Sequence, residues 1–270
     1  MLLRAQVMVT GIVILLIIVI ALLAPYISPY PYDEIDFKNI LSYPNREHLM
    51  GTDQEGRDLL SRVIYGSRVS ISVALGTAAL ALLIGTLYGS ISGYVGGKLD
   101  ELMMRVVDVF YSLPDLLVIV LMTLVIGRGV LGIVLALGLT AWMRVARIVR
   151  GNVIQLKNLD YIQSARSLGA SPTRIVLVHI LPNILSPLIV TISFSVPYAI
   201  LAESTLSFLG LGIAPPESSW GTLASTGWQG LRTFPYLIVF PSLAIFITAF
   251  TFNLFGEGIR DLLDPKRVRA

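Results

Sequence analysis

Residues 158–183, NLDYIQSARSLGASPTRIVLVHILPN, form a polar interruption between two strongly hydrophobic blocks of the chain. Asp160 and Gln163 have the spacing of a capping box, in which a side-chain acceptor at the start of a helix is followed by an amide three residues on. Gly169 can adopt the left-handed conformation that commonly ends a helix. The stretch therefore predicts a short helix of about two to three turns that begins near Asp160.

A second helix is expected to follow this one directly. Ser171 followed by Pro172 is typical of an N-cap and the first helical position. Pro182 predicts the next break, because proline cannot supply the backbone donor that a helix interior needs.

The first predicted helix has an apolar face and a polar face. Spacings of three and four residues place on the apolar face Tyr161, Ile162, Ala165, Leu168 and Gly169. The polar face consists of Gln163, Arg166 and Ser167. Such a helix either lies in the lipid headgroup layer or offers a docking surface to a soluble partner.

The order of residues in this stretch favours docking. The sequence Gln163-Ser164-Ala165, three residues, Gly169, nine residues and then His179-Ile180-Leu181-Pro182 resembles the cytoplasmic EAA loop of ABC importer permeases. In that family the loop carries a coupling helix that sits in a cleft of the ATPase subunit. Gln163 and Ser164 replace the usual Glu-Ala, so the resemblance implies no charged contact at Gln163. It implies that the coupling residues are Asp160, Tyr161, Gln163, Ser164, Ala165, Arg166, Leu168, Gly169, Ser171 and Pro172.

The composition of the 270-residue chain indicates an integral membrane protein. Hydrophobic residues make up 55% and charged residues 14%, and the mean hydropathy is +0.78, whereas soluble domains are about 25% charged. The absence of cysteine excludes disulfides and thiolate metal sites. No phosphate-binding G-x-x-x-x-G-K-[ST] motif occurs, and no cofactor motif is present. The sequence therefore predicts a non-catalytic subunit without a cofactor, which draws energy from a partner.

Six hydrophobic blocks are long enough to cross a bilayer, which predicts an all-α membrane fold. They are residues 7–24, 69–92, 102–126, 130–149, 184–206 and 236–255. The first block exceeds the hydrophobic region of a signal peptide and lacks a cleavage pattern, so we expect an uncleaved helix that ends at Pro25. We expect a tight turn over residues 94–105 and a kink at Pro114 in the third span.

Glycines at every fourth position of the second span, Gly85, Gly89 and Gly93, predict a seam of close helix packing. In the fourth span, Arg144, Arg147 and Arg150 share a face. These arginines could bind anionic lipid, pair with a partner subunit or extend to the headgroups, and the last is the commonest behaviour.

Carboxylates and hydroxyls within the spans are candidates for a translocation path, because polar groups in a bilayer usually face a protein interior or a water-filled route. The candidates are Asp115, Ser193, Ser195 and Glu203. An ion pair of Asp115 with Arg144 or another basic residue is an alternative for the first. Hydrogen bonds to the carbonyls of their own helix are an alternative for the serines.

Residues 26–67 form a polar segment with a second informative motif. Within it, we expect a short helix that carries a Thr52/Glu55 capping box and the ion pairs Asp53/Arg57 and Asp58/Arg62. The pattern Gly-Thr-Asp-x-x-Gly-Arg-Asp-x-x-Ser-Arg over residues 51–62 resembles the signature of the second permease of dipeptide, oligopeptide and nickel importers. Residues 202–212, AESTLSFLGLG, also resemble this importer family. We divide the chain into residues 1–66, a membrane helix with an extracytoplasmic segment, and residues 67–270, a five-helix permease core with a coupling loop at 151–182.

The distribution of basic residues predicts that both termini are cytoplasmic. With the termini, the loop near residue 94 and the 158–183 stretch inside, thirteen of the twenty lysines and arginines are cytoplasmic and seven are outside, as the positive-inside rule requires. The inner set is Arg4, Lys98, Arg105, Arg144, Arg147, Arg150, Lys157, Arg166, Arg174, Arg260, Lys266, Arg267 and Arg269. The two histidines, His48 and His179, then lie on opposite sides of the membrane, which argues against a histidine metal site.

Together, the motifs imply a permease of the type I ABC importer fold in a prokaryotic cell membrane, of the second-permease type of the peptide and nickel importers. The resemblance implies a second permease, two ATPase subunits and an extracytoplasmic substrate-binding protein as partners, with no role for nucleic acid. Peptides are the expected cargo and a nickel chelate is the alternative. A self-sufficient secondary transporter or channel would be favoured by inverted repeats, and we find none in the sequence.

Overall fold

The computed structural model describes residues 2–263, and within them the chain folds into α-helices joined by short loops and one long segment. Of the basic residues that the sequence places inside, Lys266, Arg267 and Arg269 lie outside the described residues. The helices are α1 Leu2–Ile27, α2 Leu59–Val95, α3 Gly97–Tyr111, α4 Asp115–Ile126, α5 Val130–Leu156, α6 Asp160–Ser167, α7 Pro172–Arg174, α8 Leu185–Phe208, α9 Trp220–Trp228 and α10 Tyr236–Leu263.

Five helical runs within residues 2–263 are long and apolar enough to cross a membrane. They are α1, α2, α5, the run Pro172–Phe208 and α10. A sixth crossing exists if α3 and α4 count as one span, although the two helices meet at 86°. The predicted six-span, all-helical architecture therefore holds, with the third span broken.

The break in the third span corrects two predictions. Proline lacks a donor and disfavours helical geometry in Leu113 before it, so Pro114 ends one helix and precedes the next instead of causing a kink. The predicted tight turn over residues 94–105 is also wrong, because only Gly96 and Gly97 take left-handed backbone angles, with φ of 72° and 60°. From Gly97 onward the chain is helical.

Two prolines expected to end helices lie inside helical runs. Pro25 is within α1, which continues to Ile27. Pro182 follows a π-helical stretch, Ile175–Ile180, and lies in a 3₁₀ turn, Leu181–Ile184, so the chain stays helical up to α8. These changes of helical pitch rearrange the backbone hydrogen bonds around a residue that cannot donate one.

The predicted glycine seam on α2 is confirmed. A side chain at Gly93 would place its Cβ 2.9 Å from the carbonyl oxygen of Arg150 and from Cβ of Val153 on α5. The equivalent atom at Gly89 would lie 2.9 Å from Cβ of Val149. Because both helices start at the same end and contact each other along their length, α2 and α5 form the central parallel pair of the bundle.

The arginines of α5 bind groups of this chain, a set of partners that none of the three alternatives from the sequence included. Arg150 donates from Nε and Nη2 to the two carboxylate oxygens of Asp100, both at 2.6 Å. Arg147 donates to Asp108 at 2.6 Å. These bonds attach α3 to α5.

The remaining arginine contacts are with aromatic rings. The guanidinium of Arg147 lies 4.1 Å from the centre of the Tyr111 ring, and that of Arg144 lies 5.0 Å from the Tyr198 ring. Both distances are within the range of a cation–π interaction. Arg144 therefore contacts α8, and the ion pair with Asp115 considered as an alternative is not formed.

The helices bring the loops together at two opposite ends of the bundle. One end, which we call the α6 end, contains α6, the corner between α2 and α3, and the start of α1, where Gln6 donates to the Leu254 carbonyl at 3.0 Å. The other, the loop end, contains residues 28–58, 127–129 and 209–235. There the Tyr236 hydroxyl donates to the Thr52 carbonyl at 3.0 Å.

Residues 51–58 form a compact loop, and the short helix expected there is absent. Gly51 and Gly56 take left-handed angles, with φ of 79° and 77°, which interrupt a helix. The predicted capping box is wrong, since the Thr52 hydroxyl accepts from the Ser42 amide at 2.8 Å. Asp58 is instead the N-cap of α2 and accepts from the Ser61 amide at 2.8 Å.

Asp53 is the centre of the ion pairs in this loop. The expected pair with Arg57 is confirmed, with Nε 2.8 Å from Oδ2 of Asp53. Arg62 also pairs with Asp53, and not with Asp58 as the spacing predicted. Burial disfavours the charge on Asp53, but Arg62 and Arg57 outweigh it and hold the pKa of this carboxyl below its ordinary value.

Candidate functional site

Helix α6 begins without the predicted capping box. Leu159 has the extended backbone angles of the N-cap position, and Asp160 is the first helical residue, with no side-chain bond to the helix start. The side-chain amide Nε2 of Gln163 donates to the carbonyl oxygen of Lys157 at 3.3 Å instead. Asp160 still stabilises the start of α6, because the helix dipole favours a negative charge in the first turn.

The end of α6 is as the sequence predicts. Gly169 has φ of 83°, and its amide donates to the Arg166 carbonyl at 3.0 Å. The Ala170 amide donates to the Ala165 carbonyl at 3.1 Å. This pair of bonds is a Schellman motif, which needs a left-handed residue at the glycine position.

The second N-cap is also confirmed. The Ser171 hydroxyl accepts from the Arg174 amide at 3.3 Å, and Pro172 occupies the first helical position. Because both ends of the connection are fixed by hydrogen bonds, α6 is held at a defined angle to the long helix that follows.

One side chain anchors α6 to the bundle. Ile162 is fully buried and packs in a cluster with Val149 and Val153 of α5 and with Ile175 and Ile180 of the π-helical stretch. Burial of a whole isoleucine side chain contributes roughly 1.5–3 kcal/mol. The helix is therefore attached through its first turn.

The rest of the predicted apolar face is not buried, which corrects the expectation from periodicity. Leu168 is 88% exposed and Tyr161 is 43% exposed. Gln163, Ser164 and Arg166 are exposed as well, and Ala165 is half-buried. Leu168, the C-cap residue of α6, is thus the most exposed apolar side chain of this segment and lies among polar ones at the α6 end.

Three side-chain contacts around α6 were not foreseen. Arg166 lies with its guanidinium 5.8 Å from the Tyr94 ring of α2. The side-chain amide Nδ2 of Asn183 donates to the Tyr161 hydroxyl at 3.4 Å. Lys157 donates to backbone carbonyls of α2. A lysine at a helix end suggests capping of that helix, but its spacing cannot reveal that a different helix supplies the carbonyls.

The candidate path residues are spread along α8 and α4. Ser193 and Ser195 donate to carbonyls of their own helix, Ile189 at 2.9 Å and Thr191 at 2.8 Å. This is the alternative that the sequence left open for these hydroxyls. Asp115 is exposed at the first position of α4.

Glu203 is fully buried where α8 meets α9. Its Oε1 accepts from the hydroxyls of Ser219 at 2.6 Å and Ser207 at 2.8 Å, while Oε2 has no hydrogen-bond partner. Ten residues of helix, about 15 Å, separate Glu203 from Ser193. The four candidates are therefore not gathered into one site by this chain.

The metal-binding side chains of the described residues form no group of three that could hold an ion. The features of the candidate site are the bonded turn at the end of α6, the buried anchor and the exposed leucine.

A family model described as "Binding-protein-dependent transport system inner membrane component" matches residues 85–269. The chain belongs to this family. A second model, the N-terminal membrane domain of oligopeptide transport permease C, matches residues 6–44. The first match contains α6 and the whole 158–183 stretch, so the resemblance seen in the sequence is confirmed.

Relatives with assigned names align with nearly the whole of this chain. The oligopeptide transport permease OppC of Bacillus subtilis is 44% identical over 96% of this chain and 85% of its own length. OppC of Escherichia coli K12 is 44% identical over 94% and 85%. The dipeptide transport permease DppC of Bacillus subtilis is 40% identical over 94% and 80%.

A solved structure has the same fold. A chain of the MetNI methionine ABC transporter in an inward-facing conformation aligns with a TM-score of 0.57 over 73% of this chain and 96% of its own length, at 18% identity. The chain is therefore a multi-pass ABC transporter permease of the type I importer fold.

Proposed function

We propose that this chain forms half of the translocation path of a peptide-importing ABC transporter, and that α6 couples this path to ATP hydrolysis in a partner subunit. The observation that carries the proposal is the construction of α6. Buried Ile162 and the bonded turn at Gly169 fix the helix to the bundle, while Leu168 is 88% exposed. A fixed helix with an exposed apolar side chain suits insertion into a groove of another protein.

The coupling follows from the rigidity of this attachment. A displacement of α6 moves α5 through Ile162 and the Pro172–Phe208 run through the connection at Gly169 and Ser171. An ATPase that holds α6 in two positions, according to its nucleotide, would bias the helices between inward-open and outward-open arrangements. The bound nucleotide and the loaded binding protein then act on opposite ends of one two-state element.

Orientation is the second part of the proposal. We place the α6 end in the cytoplasm and the loop end outside a prokaryotic cell membrane. The excess of lysine and arginine on the α6 side supports this arrangement. Residues 28–58 and 209–235 then form the face that meets a substrate-binding protein.

Peptide cargo is supported by the relatives, which are named for oligopeptides and dipeptides, and they give less support to the nickel alternative. A second permease would supply the other half of the path, and two ATPase subunits would supply the energy. In this assembly we propose Asp115, Ser193, Ser195 and Glu203 as residues of the path or of its walls. For Asp115 the support is its exposure, and for Glu203 it is the unpartnered Oε2.

Reconstitution tests this function. Proteoliposomes that contain this chain, its paired permease, the ATPases and a peptide-loaded binding protein should accumulate peptide only with hydrolysable ATP. A nickel chelate carried in place of peptide would assign the cargo to the metal alternative. Uptake by this chain alone without ATP would contradict the proposal and indicate a secondary transporter.

A further inference from the structure

We propose that Lys157 is a positioning residue that joins α6 to the corner between α2 and α3, so that displacement of α6 moves this corner with it. The proposal rests on the coupling role of α6 and names the residue through which the movement is transmitted. Lys157 is half-buried and directly follows the last residue of α5.

Lys157 contacts α2 through its side chain and α6 through its backbone carbonyl group. Its Nζ donates to the carbonyl oxygens of Gly93 at 2.6 Å and Tyr94 at 3.3 Å, in the last turn of α2. Its own carbonyl oxygen accepts from Nε2 of Gln163 in α6 at 3.3 Å. The last carbonyls of a helix lack donors and lie at its negative end, so an ammonium group is a favourable partner for them.

Arg166 of α6 makes a weaker contact with this corner. The guanidinium of Arg166 is 5.8 Å from the centre of the Tyr94 ring, near the outer limit of a cation–π interaction. The bond of 2.6 Å from Lys157 to Gly93 is therefore the tighter connection, and the one that would carry a displacement most directly.

The corner is in turn tied to the rest of the bundle. Asp100, in the first turn of α3, accepts from the Ser92 hydroxyl of α2 and from Nε and Nη2 of Arg150 on α5. Gly93 lies directly against the Arg150 backbone. Movement that reaches the corner through Lys157 is thus shared with α3, which leads across the 86° break into α4.

The test measures peptide imported per ATP hydrolysed in the reconstituted complex. Lys157→Met keeps the aliphatic stem and removes the donors, and we expect the ratio to fall about tenfold, the value of one charge-assisted hydrogen bond. Lys157→Arg should restore the ratio, because it keeps the charge and the donors. Lys98→Met removes an exposed lysine of α3 and should leave the ratio unchanged.

Two further arms separate the possible outcomes. Gln163→Leu breaks the α6 side of the link while Lys157 stays in place, and its ratio should also fall. A benzophenone maleimide attached to Leu168→Cys should still cross-link to the ATPase in every variant. Unchanged ratios in both Lys157→Met and Gln163→Leu, with the cross-link intact, would overturn the role of Lys157. Loss of the cross-link in the chain with an intact Lys157 would overturn the coupling function on which it rests.

Discussion

Gly89→Leu is expected to abolish folding of the permease. A Cβ at this position would overlap the Ala146 carbonyl oxygen and lie 2.9 Å from Cβ of Val149 and 3.0 Å from the Arg150 amide. Overpacking usually costs about 1–3 kcal/mol when side chains can move aside. Here backbone atoms of α5 block the space, so the helices themselves would have to separate.

The yield of monodisperse protein in detergent, measured by size-exclusion chromatography, checks this expectation. The matched control is Gly151→Leu, because Gly151 is also a helical glycine and a Cβ there meets nothing within 4 Å. We expect the control to give the yield of the unaltered chain and Gly89→Leu to give little or no monodisperse protein, because the two central helices cannot pack. Equal yields would show that the glycine seam does not hold α2 against α5.

Gly169→Pro is expected to abolish coupled transport without preventing membrane insertion. Proline fixes φ near −65°, whereas Gly169 has φ of 83°, and proline also lacks the amide that donates to Arg166. The Schellman end of α6 cannot form, so α6 loses its fixed angle to the long helix after Ser171. We expect the peptide taken up per ATP to fall at least tenfold, because a left-handed position costs an ordinary residue about 1–2 kcal/mol and excludes proline outright.

Gly169→Asn provides the control for this experiment. No atom would lie within 4 Å of a Cβ at Gly169, so the space is free and only the backbone conformation is under test. Asparagine tolerates the left-handed region. The asparagine variant should therefore retain most of the uptake. Full uptake by Gly169→Pro would mean that the turn after α6 carries no coupling.

Residue type and spacing predicted the features that depend on backbone conformation, namely the helix ends and the close packing of α2 against α5. Gly169 and Ser171 were identified because a left-handed turn and an N-cap each restrict the residue types that can occupy them. The Gly89 seam followed from the same logic, since close approach of two helices requires small residues at regular spacing.

Contacts between distant residues could not be predicted in this way. Periodicity placed Leu168 on the same face as Ile162, but only Ile162 reaches the core, because an eight-residue helix docks on one turn. Arg150 was expected to reach the headgroups, since nothing in the spacing shows that α3 folds back and places Asp100 beside it. The corner at Gly96 and Gly97 decides that arrangement, because it turns the chain from α2 into α3 just before Asp100. The 86° break at Pro114 was missed for a separate reason, since proline alone does not distinguish a kink from a break.

Coupling to an ATPase requires that α6 lie on the cytoplasmic side of the membrane, and cysteine labelling measures this orientation. The chain contains no cysteine, so a single one can be introduced and labelled with a membrane-impermeant maleimide added outside intact cells or spheroplasts. Glu47→Cys, exposed at the loop end, should be modified under these conditions. Leu168→Cys should react only after the membrane is permeabilised. Labelling of Leu168→Cys from outside, with Glu47→Cys protected, would place α6 away from any cytoplasmic ATPase. That result would contradict the proposed coupling role of α6.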